Sequence, residues 1–539
     1  MPDPSAETDP KAVLGEEGMR LLTQLVATAP TNLEDPGHGR WEKPNYLRTA
    51  DVIIRAARTR GLETRIYDPV VAGDVPGDWH GLSRPNVIAD LHVGAVETVV
   101  ILAHYDVVPV PAEQLGRWKS PPHTLTARAN GRLYARGAND DLGSGVVGSL
   151  LALGRLADGP PPPRNVRLVA CCDEETGGEG GIEAVKHHDS TLPPGSREQI
   201  LAGDVVLIPD GGPETVAGSS GVAFLDASFD RPVSLREGLS YGDVLVGLHE
   251  LARTWKSTLP STDWPKRYAP EPVITGRATV TRVDLTSTSQ DAAPVRLVAA
   301  HAENDAANQI ARAVTLVFSG PARELDTLEG RLSPLLAPPF RFEPAGTSAL
   351  TVAPGMRAFQ VIGEAAHGGY PHRGHNPVPV ALQLLRASVD RGWVDGANQG
   401  TTTFTVDLRL PPEMELDDGL HSALGFVRAG VSSRAPHARI DAPPARCRSG
   451  YALPPSAPSV VRLQRILADT VHSPGIYGEY GGTDASAIRG LLAPDGGPLP
   501  AIVFGSMDVE SRIHDAEESV DPHLLAGVAT AIERFVREP

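Results

Sequence analysis

The sequence predicts an α/β fold, in which a mostly parallel sheet carries helices on both faces and is interrupted by an inserted α+β domain. Three observations support this fold class. Short apolar runs that end in polar or acidic residues recur over about the first 215 residues, and helical patterns alternate with them. This alternation stops near Ser219 and resumes near Pro455. Residues 1–218 and 451–539 are therefore predicted to form one domain, and residues 219–450 to form the insertion.

The period of the apolar residues defines each element of the first domain. Apolar side chains at helical spacing predict two helices before the first strand, and short β-branched runs predict the strands. The turn pair Asn130–Gly131 predicts a hairpin. In chain order the predicted elements are helices Ala12–Ala29 and Leu47–Arg60, strands Glu63–Tyr67, Asn86–Leu91 and Thr98–Ala103, hairpin His123–Tyr134, helix Gly143–Leu156, strand Val166–Cys171, helix Ile182–His188 and strand Asp204–Ile208.

The insertion has a different pattern, because helical stretches mix with alternating strands and none of these strands ends in an acid. After the insertion, a helix, a glycine-rich segment and a strand return to the first pattern. The predicted elements are helices Tyr241–Trp255 and Asn304–Val314, strands Val314–Ser319, Ala358–Gly363 and Thr402–Leu410, and then helix Val460–His472, the glycine-rich Gly478–Gly490 and strand Pro500–Phe504.

Composition and charge exclude several classes of function. The chain carries 66 acidic and 49 basic side chains, a net charge of -17, without a basic run, which argues against nucleic-acid and anionic-membrane partners. No apolar run approaches the roughly 18 residues of a membrane helix, and the N-terminal segment lacks the pattern of a secretory signal. Three cysteines, two of them adjacent, do not make a disulfide framework. We therefore expect a cytoplasmic protein that acts on small molecules.

Polar side chains follow the predicted strands at the points where those strands end. Residues i and i+2 of a strand point to the same side, so His104 and Asp106 can share a pocket at the carboxyl end of their strand. His104, Asp140, Glu175 and Asp210 fall 36, 35 and 35 residues apart, so successive strand–helix units bring them to one sheet edge. Three carboxylates there repel one another unless cations lie between them. This donor set predicts a divalent metal site for Zn²⁺, with Mn²⁺ or Co²⁺ as substitutes.

The chain resembles a known enzyme family in six motifs, which in order are HYD, ARGANDD, CCDEETGG, the PD of LIPDGG, HGGYPHRGHNP and RIHDAEESV. This co-catalytic zinc family includes aminoacylases, glutamate carboxypeptidase, carnosinase-type and bacterial dipeptidases, acetylornithine deacetylase and succinyl-diaminopimelate desuccinylase. The resemblance implies a zinc-exopeptidase-like catalytic domain, residues 1–218 and 451–539, and a lid domain, residues 219–450. It also implies two metal ions, and the implied ligands are Asp140 as the bridge, His104 and Asp210 on one ion, and Glu175 and His514 on the other.

The resemblance further implies roles for residues that do not bind metal. Glu174 would be the general base that takes a proton from the attacking water and passes it to the departing amine. Asp106 would orient the ring of His104. The remaining implied roles are His367 as the lid histidine that stabilises the developing oxyanion, Arg409 as the partner of a substrate carboxylate or else a plain strand-surface arginine, and Gly481, Gly482 and Thr483 as a substrate-side glycine turn.

Three functions remain open at this stage. The first is a dinuclear-metal hydrolase that cleaves an amide or peptide bond beside a free carboxylate, as a dipeptidase or carboxypeptidase. The second is an N-acyl-amino-acid deacylase of the acetylornithine deacetylase or desuccinylase type. Peptidases of the family tend to have Asp where this chain has Asp210, while several deacylases have Glu, so the resemblance favours a peptidase. The third is a binding protein on the same fold that has lost its metals.

The position of the lid histidine bears on assembly. In the dimeric members of the family this histidine follows the last carboxylate ligand by a few tens of residues and reaches the partner's active site. Here 157 residues separate Asp210 from His367. The extra segment, about Ser219 to Ala358, is large enough to form a second lobe of the lid. A monomer is therefore expected, as in the monomeric bacterial dipeptidases that this layout resembles, and a lid-mediated homodimer is the alternative.

Overall fold

The computed structural model describes residues 9–31, 45–74, 83–140, 142–193, 196–261, 273–288, 295–304, 307, 309–345, 353, 355–371, 374–431 and 437–538. Two compact units are present. The first comprises Met1–Gly218, Tyr451–Tyr477 and Thr483–Pro539, and the second comprises Ser219–Gly450 and Gly478–Gly482. Among the helices of the described ranges, none has the length and apolarity that crossing a membrane requires.

Helices and strands are numbered in chain order. The helices are α1 (Pro10–Val26), α2 (Tyr46–Arg58), α3 (Pro69–Ala72), α4 (Ala112–Leu115), α5 (Gly148–Asp158), α6 (Ile182–Thr191), α7 (Leu235–Ala252), α8 (Ala322–Leu332), α9 (Pro377–Asp390), α10 (Leu416–Val431), α11 (Pro458–Thr470), α12 (Ala485–Ile488) and α13 (Pro522–Arg537). The strands are β1 (Glu63–Tyr67), β2 (Asn86–Leu91), β3 (Thr98–His104), β4 (Thr126–Ala127), β5 (Leu133–Tyr134), β6 (Asn165–Cys171), β7 (Val205–Ile208), β8 (Thr215–Ser219), β9 (Gly221–Phe229), β10 (Val233–Ser234), β11 (Lys256–Pro260), β12 (Val273–Thr275), β13 (Arg277–Ser287), β14 (Arg296–Ala302), β15 (Gln309–Ile310), β16 (Ala313–Ser319), β17 (Arg341–Pro344), β18 (Met356–Ile362), β19 (Ala366–His367), β20 (Gln399–Leu410), β21 (Ala438–Asp441), β22 (Cys447–Arg448), β23 (Tyr451–Ala452), β24 (Ile476–Glu479), β25 (Ala501–Val503) and β26 (Ser519–Val520).

The main sheet of the first unit has the order β1-β2-β6-β3-β7-β25-β8-β23. Its centre is parallel, because β3 pairs in parallel with β6 and β7, and β7 pairs in parallel with β25. The edge strand β1 pairs antiparallel with β2, and β2 pairs antiparallel with β6. This mixed α/β architecture with a mostly parallel sheet confirms the predicted fold class.

Strand β3 is buried on both faces, as its unbroken apolar sequence predicts. Val100 and Leu102 belong to a core cluster that also contains residues of α6 and α12. Ile101, which points to the opposite face, is equally buried. The parallel register aligns His104 at the end of β3 with Cys171 at the end of β6. The residues that follow both strands therefore emerge at the same edge of the sheet.

The segment that leads into α5 departs from a regular helix. Leu142–Val147 forms a π-helical turn, so the helix predicted from Gly143 begins with a wider turn than expected. Gly143 is needed here, because a Cβ atom on it would lie 1.9 Å from the carbonyl oxygen of Ala138. The absence of a side chain at Gly143 thus allows the backbone to approach Ala138, the residue directly before Asn139 and Asp140.

The second unit is built on an antiparallel sheet of the order β17-β18-β16-β14-β13-β20-β9-β21. One of its faces forms a core in which Leu225, Phe404 and Val406 of the sheet cluster with Tyr241 and other helical residues. The predicted helix Asn304–Val314 is wrong, because its described part forms strand β15 and the start of β16. Pairing of β16 with β14 and β18 on either side outweighs the local helical spacing.

Gly181, which precedes α6, provides a test of backbone packing in the first unit. A Cβ atom at this position would lie 1.8 Å from the carbonyl oxygen of Cys172. Gly181→Ala is therefore expected to lower the free energy of unfolding by about 1–3 kcal/mol. Urea unfolding measures this change through the midpoint and the slope of the transition. Gly116→Ala is the matched control, because nothing lies within 4 Å of its Cβ position, and a change of less than about 0.5 kcal/mol is expected there. Equal midpoints for the two variants would contradict this packing.

Candidate metal centre

Five of the predicted site residues lie together in the first unit as two overlapping groups. The first ligand group is His104, Asp140 and Asp210, and the second ligand group is Asp140, Glu175 and His514. Within each group the donor atoms all lie within 4.8 Å of one another, which is the spacing expected of side chains that share one ion. Asp140 belongs to both groups.

The carboxylate of Asp140 faces a different histidine with each of its oxygens. Oδ1 lies 3.5 Å from Nε2 of His104, and Oδ2 lies 2.8 Å from Nε2 of His514. Nε2 of His514 also lies 3.2 Å from Oε1 of Glu175. A carboxylate in this position can serve two cations at once. Asp140 is also well shielded, with only 6 % of its surface exposed.

Asp106 contacts both the histidine of the first ligand group and the turn that carries Glu174 and Glu175. Nδ1 of His104 lies 3.1 Å from the backbone oxygen of Asp106 and 3.4 Å from its Oδ1, which leaves Nε2 to face Asp140. The two carboxylate oxygens of Asp106 accept hydrogen bonds from the backbone N–H groups of Glu174, at 3.0 Å, and of Glu175, at 3.1 Å. Asp106 thus orients the ring mainly through its backbone oxygen and holds the neighbouring turn through its buried carboxylate.

Asp173 holds the same turn from its other end. Its backbone has φ of +61°, in the left-handed region that non-glycine residues rarely adopt. Its carboxylate accepts hydrogen bonds of 2.7 Å from the hydroxyl of Tyr46 and of 2.7 Å from Nε of Arg84. Burial raises the pKa of Asp173, while the charge of Arg84 opposes this shift. These two contacts hold a strained backbone conformation directly before Glu174 and Glu175.

The backbone of Asp140 is held by a second buried carboxylate. Oε1 of Glu518 accepts hydrogen bonds from the N–H groups of Asn139, at 3.2 Å, and Asp140, at 3.3 Å. Oε2 of Glu518 accepts a 2.7 Å hydrogen bond from Nη1 of Arg136, and both side chains are 1 % exposed. Burial raises the pKa of Glu518, and the charge of Arg136 opposes this rise. Arg136 therefore stabilises the negative charge of Glu518, the carboxylate that accepts the hydrogen bond from the backbone of Asp140.

The electrostatics of the centre favour cations. Burial alone would raise the pKa of Asp140, but hydrogen bonds with His104 and His514 hold it well below its usual range. Burial lowers the pKa of His514, but the charge of Glu175 and the hydrogen bond to Asp140 raise it well above its ordinary value. Clustered carboxylates thus attract positive charge strongly. Zinc is commonly bound by carboxylate oxygens together with the nitrogens of neutral imidazole rings. The carboxylates and histidines of the two groups therefore fit this ion.

The structure places the remaining predicted site residues as follows. Arg409, 2 % exposed, donates to both carboxylate oxygens of Asp407, at 2.6 and 2.9 Å, and to the backbone oxygen of Tyr480 at 3.2 Å.

The backbone of His367 pairs with Gln309 in the short β15–β19 sheet, while its side chain lies outside the described residues. A Cβ atom at Gly481 or Gly482 would meet nothing closer than 3.4 Å, so space lies beside this turn.

Thr483 lies in the first unit, at the start of α12. Its Oγ1 accepts a hydrogen bond of 3.3 Å from the N–H of Ala485, and the residue is 4 % exposed. Its hydroxyl therefore accepts a hydrogen bond from the first residue of α12 and supports the N-terminus of that helix.

Sequence reasoning missed the residues that hold the candidate ligands in place. Those of the described region are Tyr46, Arg84, Gln114, Arg136, Asp173 and Glu518. The available signal was slight: Arg136, Asp173 and Glu518 stand inside the motifs ARGANDD, CCDEETGG and RIHDAEESV, next to predicted ligands. Tyr46, Arg84 and Gln114 stand far from any motif, and their spacing gives no indication of a role.

Comparison with known proteins places these features in context. The family model described as "Peptidase family M20/M25/M40" matches residues 100–538 of this chain. An uncharacterized metallohydrolase of Methanocaldococcus jannaschii is 25% identical over 202 residues, which are 37% of this chain and 45% of that protein. A succinyl-diaminopimelate desuccinylase of Acidovorax ebreus is 40% identical over 93 residues, 17% of this chain and 22% of that protein. The chain thus spans less than half the length of these curated relatives.

The fold is also found among solved structures. Human carnosine dipeptidase 1 superposes with a TM-score of 0.54 at 13% identity, and the superposition covers 98% of this chain and 97% of that one. At this level of identity the similarity concerns the fold.

Proposed function

The chain belongs to peptidase family M20/M25/M40, whose members are metal-dependent hydrolases, and from this premise we propose that it cleaves an amide or peptide bond next to a free carboxylate, as a dipeptidase or carboxypeptidase. The observation that carries the proposal is the pair of ligand groups that share Asp140. Two ions held by one bridging carboxylate are suited to the hydrolysis of amides. We propose Zn²⁺ as the most favourable ion, with Mn²⁺ or Co²⁺ as substitutes.

The residues of the first unit would perform the reaction in distinct roles. His104, Asp140 and Asp210 would hold one ion, and Asp140, Glu175 and His514 the other. When bound, the ions would lower the pKa of a shared water and polarise the substrate carbonyl. Glu174, on the turn fixed by Asp106 and Asp173, would accept the proton of that water and donate it to the departing amine nitrogen.

We propose that the first unit is the catalytic domain and that the second is the lid. His367 of the second unit would donate a hydrogen bond to the developing oxyanion, and Gly481, Gly482 and Thr483 would border the substrate. Asp407 engages two of the guanidinium nitrogens of Arg409. Arg409 is too buried for the strand-surface alternative. Its contacts with Asp407 and with the backbone oxygen of Tyr480 instead favour a structural role over holding a substrate carboxylate.

A substrate screen tests this proposal. Purified protein, stripped of metal and then supplied with Zn²⁺, Mn²⁺ or Co²⁺, is incubated with dipeptides and N-acyl amino acids, and liberated amine is measured. Hydrolysis that depends on added metal and on a free carboxylate beside the scissile bond is expected. If no substrate is cleaved with any metal, and less than one equivalent of ion binds, the alternative of a metal-free binding protein on this fold replaces the proposal.

A second candidate is an N-acyl-amino-acid deacylase. The observation that favours it is the 40% identity to a succinyl-diaminopimelate desuccinylase over 93 residues. The same screen separates the two candidates, because a deacylase prefers acyl amino acids with a blocked amine over free dipeptides. Asp210 favours the peptidase, as noted for the family. Small peptides or acyl amino acids are thus the proposed substrates, and a cytoplasmic location stays a prediction.

We propose further that the chain works as a monomer, with His367 acting in the active site of its own chain. The second unit supports this, because its sheet continues without interruption from β17 to β21 through the central strand β13. The inserted residues thus extend one lid sheet within a single chain.

Mixing inactive variants tests the monomer. A mixture of Glu174→Ala and His367→Ala proteins is expected to remain inactive, because each chain lacks one residue of its own site. The measurement is amine release after the proteins are refolded together. Recovered activity, with each variant inactive alone, would show a site shared between subunits and support the lid-mediated homodimer.

A further inference from the structure

We propose that Gln114 is a positioning residue for the second ligand group, acting on the backbone of His514, and that Arg136 and Glu518 link it to the backbone of Asp140. The inference rests on the proposed function, since it concerns how the chain prepares its ligands for an ion. It assigns a role to three buried side chains that contact no substrate or metal themselves.

Gln114 contacts the histidine ligand at a strained point of the chain. Its Nε2 donates a hydrogen bond of 3.3 Å to the backbone oxygen of His514. His514 has φ of +63°, a left-handed conformation that costs free energy unless neighbouring groups hold it. Gln114 itself is 8 % exposed, so its amide works in a shielded environment where hydrogen bonds are stronger.

Gln114 is in turn fixed by the ion pair beneath Asp140. Its Oε1 accepts a hydrogen bond of 3.3 Å from Nη2 of Arg136. Nη1 of the same guanidinium donates to Oε2 of Glu518 at 2.7 Å, and Oε1 of Glu518 accepts from the N–H of Asp140 at 3.3 Å. A continuous chain of hydrogen bonds therefore runs from the backbone of one ligand to the backbone of another.

The residues at the two ends of this series of hydrogen bonds are expected to affect metal binding differently. His514 belongs only to the second ligand group, so Gln114 acts on one ion site. Asp140 belongs to both groups, so Glu518 acts on both. Replacement of residues that orient metal ligands typically lowers metal affinity about 10- to 100-fold. The inference thus predicts a selective loss for Gln114 and a general loss for Glu518.

The test uses two backgrounds that each retain one ligand group. Asp210→Asn leaves the second group intact, and His514→Ala leaves the first. Gln114→Met, which matches Gln in length without its hydrogen bonds, is expected to weaken Zn²⁺ binding roughly 10- to 100-fold in the Asp210→Asn background. In the His514→Ala background it is expected to change nothing. Glu518→Gln is expected to weaken Zn²⁺ binding in both, and calorimetric titration of the metal-stripped proteins measures each affinity.

A control variant separates the contact at His514 from general tethering of its loop. Arg117 donates a hydrogen bond of 2.8 Å to Asp515, the residue after His514, through side chains that are 52% and 38% exposed. Arg117→Met removes this exposed contact and is expected to change Zn²⁺ affinity less than twofold, because exposed ion pairs contribute little. Thermal unfolding of the metal-stripped variants checks that all of them fold.

Each outcome decides the inference. Unchanged affinity for Gln114→Met in the Asp210→Asn background overturns it. An equal loss in both backgrounds also overturns it, since Gln114 would then act on the fold as a whole, and so does a variant that fails to fold. Failure of the unsubstituted chain to bind Zn²⁺ would instead overturn the proposed function, and this inference with it.

Discussion

Glu174→Ala is expected to retain both metal ions while kcat falls roughly 10²- to 10⁴-fold. The substitution removes the proposed general base, and this is the range that positioned proton transfer contributes to a rate. The ligands should stay in place, because Asp106 holds the turn through the backbone N–H groups of Glu174 and Glu175, which the substitution leaves intact. Steady-state kinetics on the best substrate of the screen, together with the zinc content of the protein, measure the effect.

A nearby acid provides the control for this prediction. Glu179 lies on the same loop and is exposed, so Glu179→Ala changes the local charge equally without touching the ligand groups. Its kcat should stay within about twofold of the unsubstituted value, as most surface substitutions are close to neutral. A Glu174→Ala protein that keeps most of its turnover would show that another group transfers the proton.

Asp140→Ala is expected to lose both metal ions and, with them, all measurable activity. Each ligand group would be left with two side chains, and the two histidines would lose the carboxylate that lies between them. A catalytic zinc ion is typically held by three protein ligands, so the loss of one from each group lowers affinity severely. Metal content after dialysis and calorimetric titration with Zn²⁺ measure the loss.

An exposed aspartate in a surface turn serves as the comparison. Asp495→Ala removes an exposed carboxylate that accepts a hydrogen bond from the N–H of Gly497, and this variant should bind as many equivalents as the unsubstituted chain. Tight binding of two equivalents by Asp140→Ala would exclude the bridging role. Taken with Glu174→Ala, the variant separates loss of proton transfer from loss of metal, because one protein should retain its ions and the other should not.

The sequence by itself determined six strands of the main sheet of the first unit, β1, β2, β3, β6, β7 and β25, and the polar residues that follow the central ones. An unbroken apolar run such as Val99–Ala103 has few alternatives to a strand buried on both faces, and the polar residues that follow such runs must leave the sheet at its end. The ordered motifs around His104, Asp140 and Glu175 could therefore be located before any coordinates. Local pattern was less informative in the insertion, where the helix predicted over Asn304–Val314 is replaced, in its described part, by strand β15 and the start of β16. Neighbouring strands supply the hydrogen bonds there.

Only the tertiary structure decided which side chains hold the ligands in position. Gln114 reaches His514 across 400 residues of sequence, and Arg136 reaches Glu518 across 382. Tyr46 meets Asp173 across 127 residues. Periodicity reports the face on which a residue lies within its own element, whereas these contacts depend on how separate elements pack. A buried hydrogen bond between distant segments has no local signature, so the residues that support the candidate metal centre could not be read from the pattern of the chain.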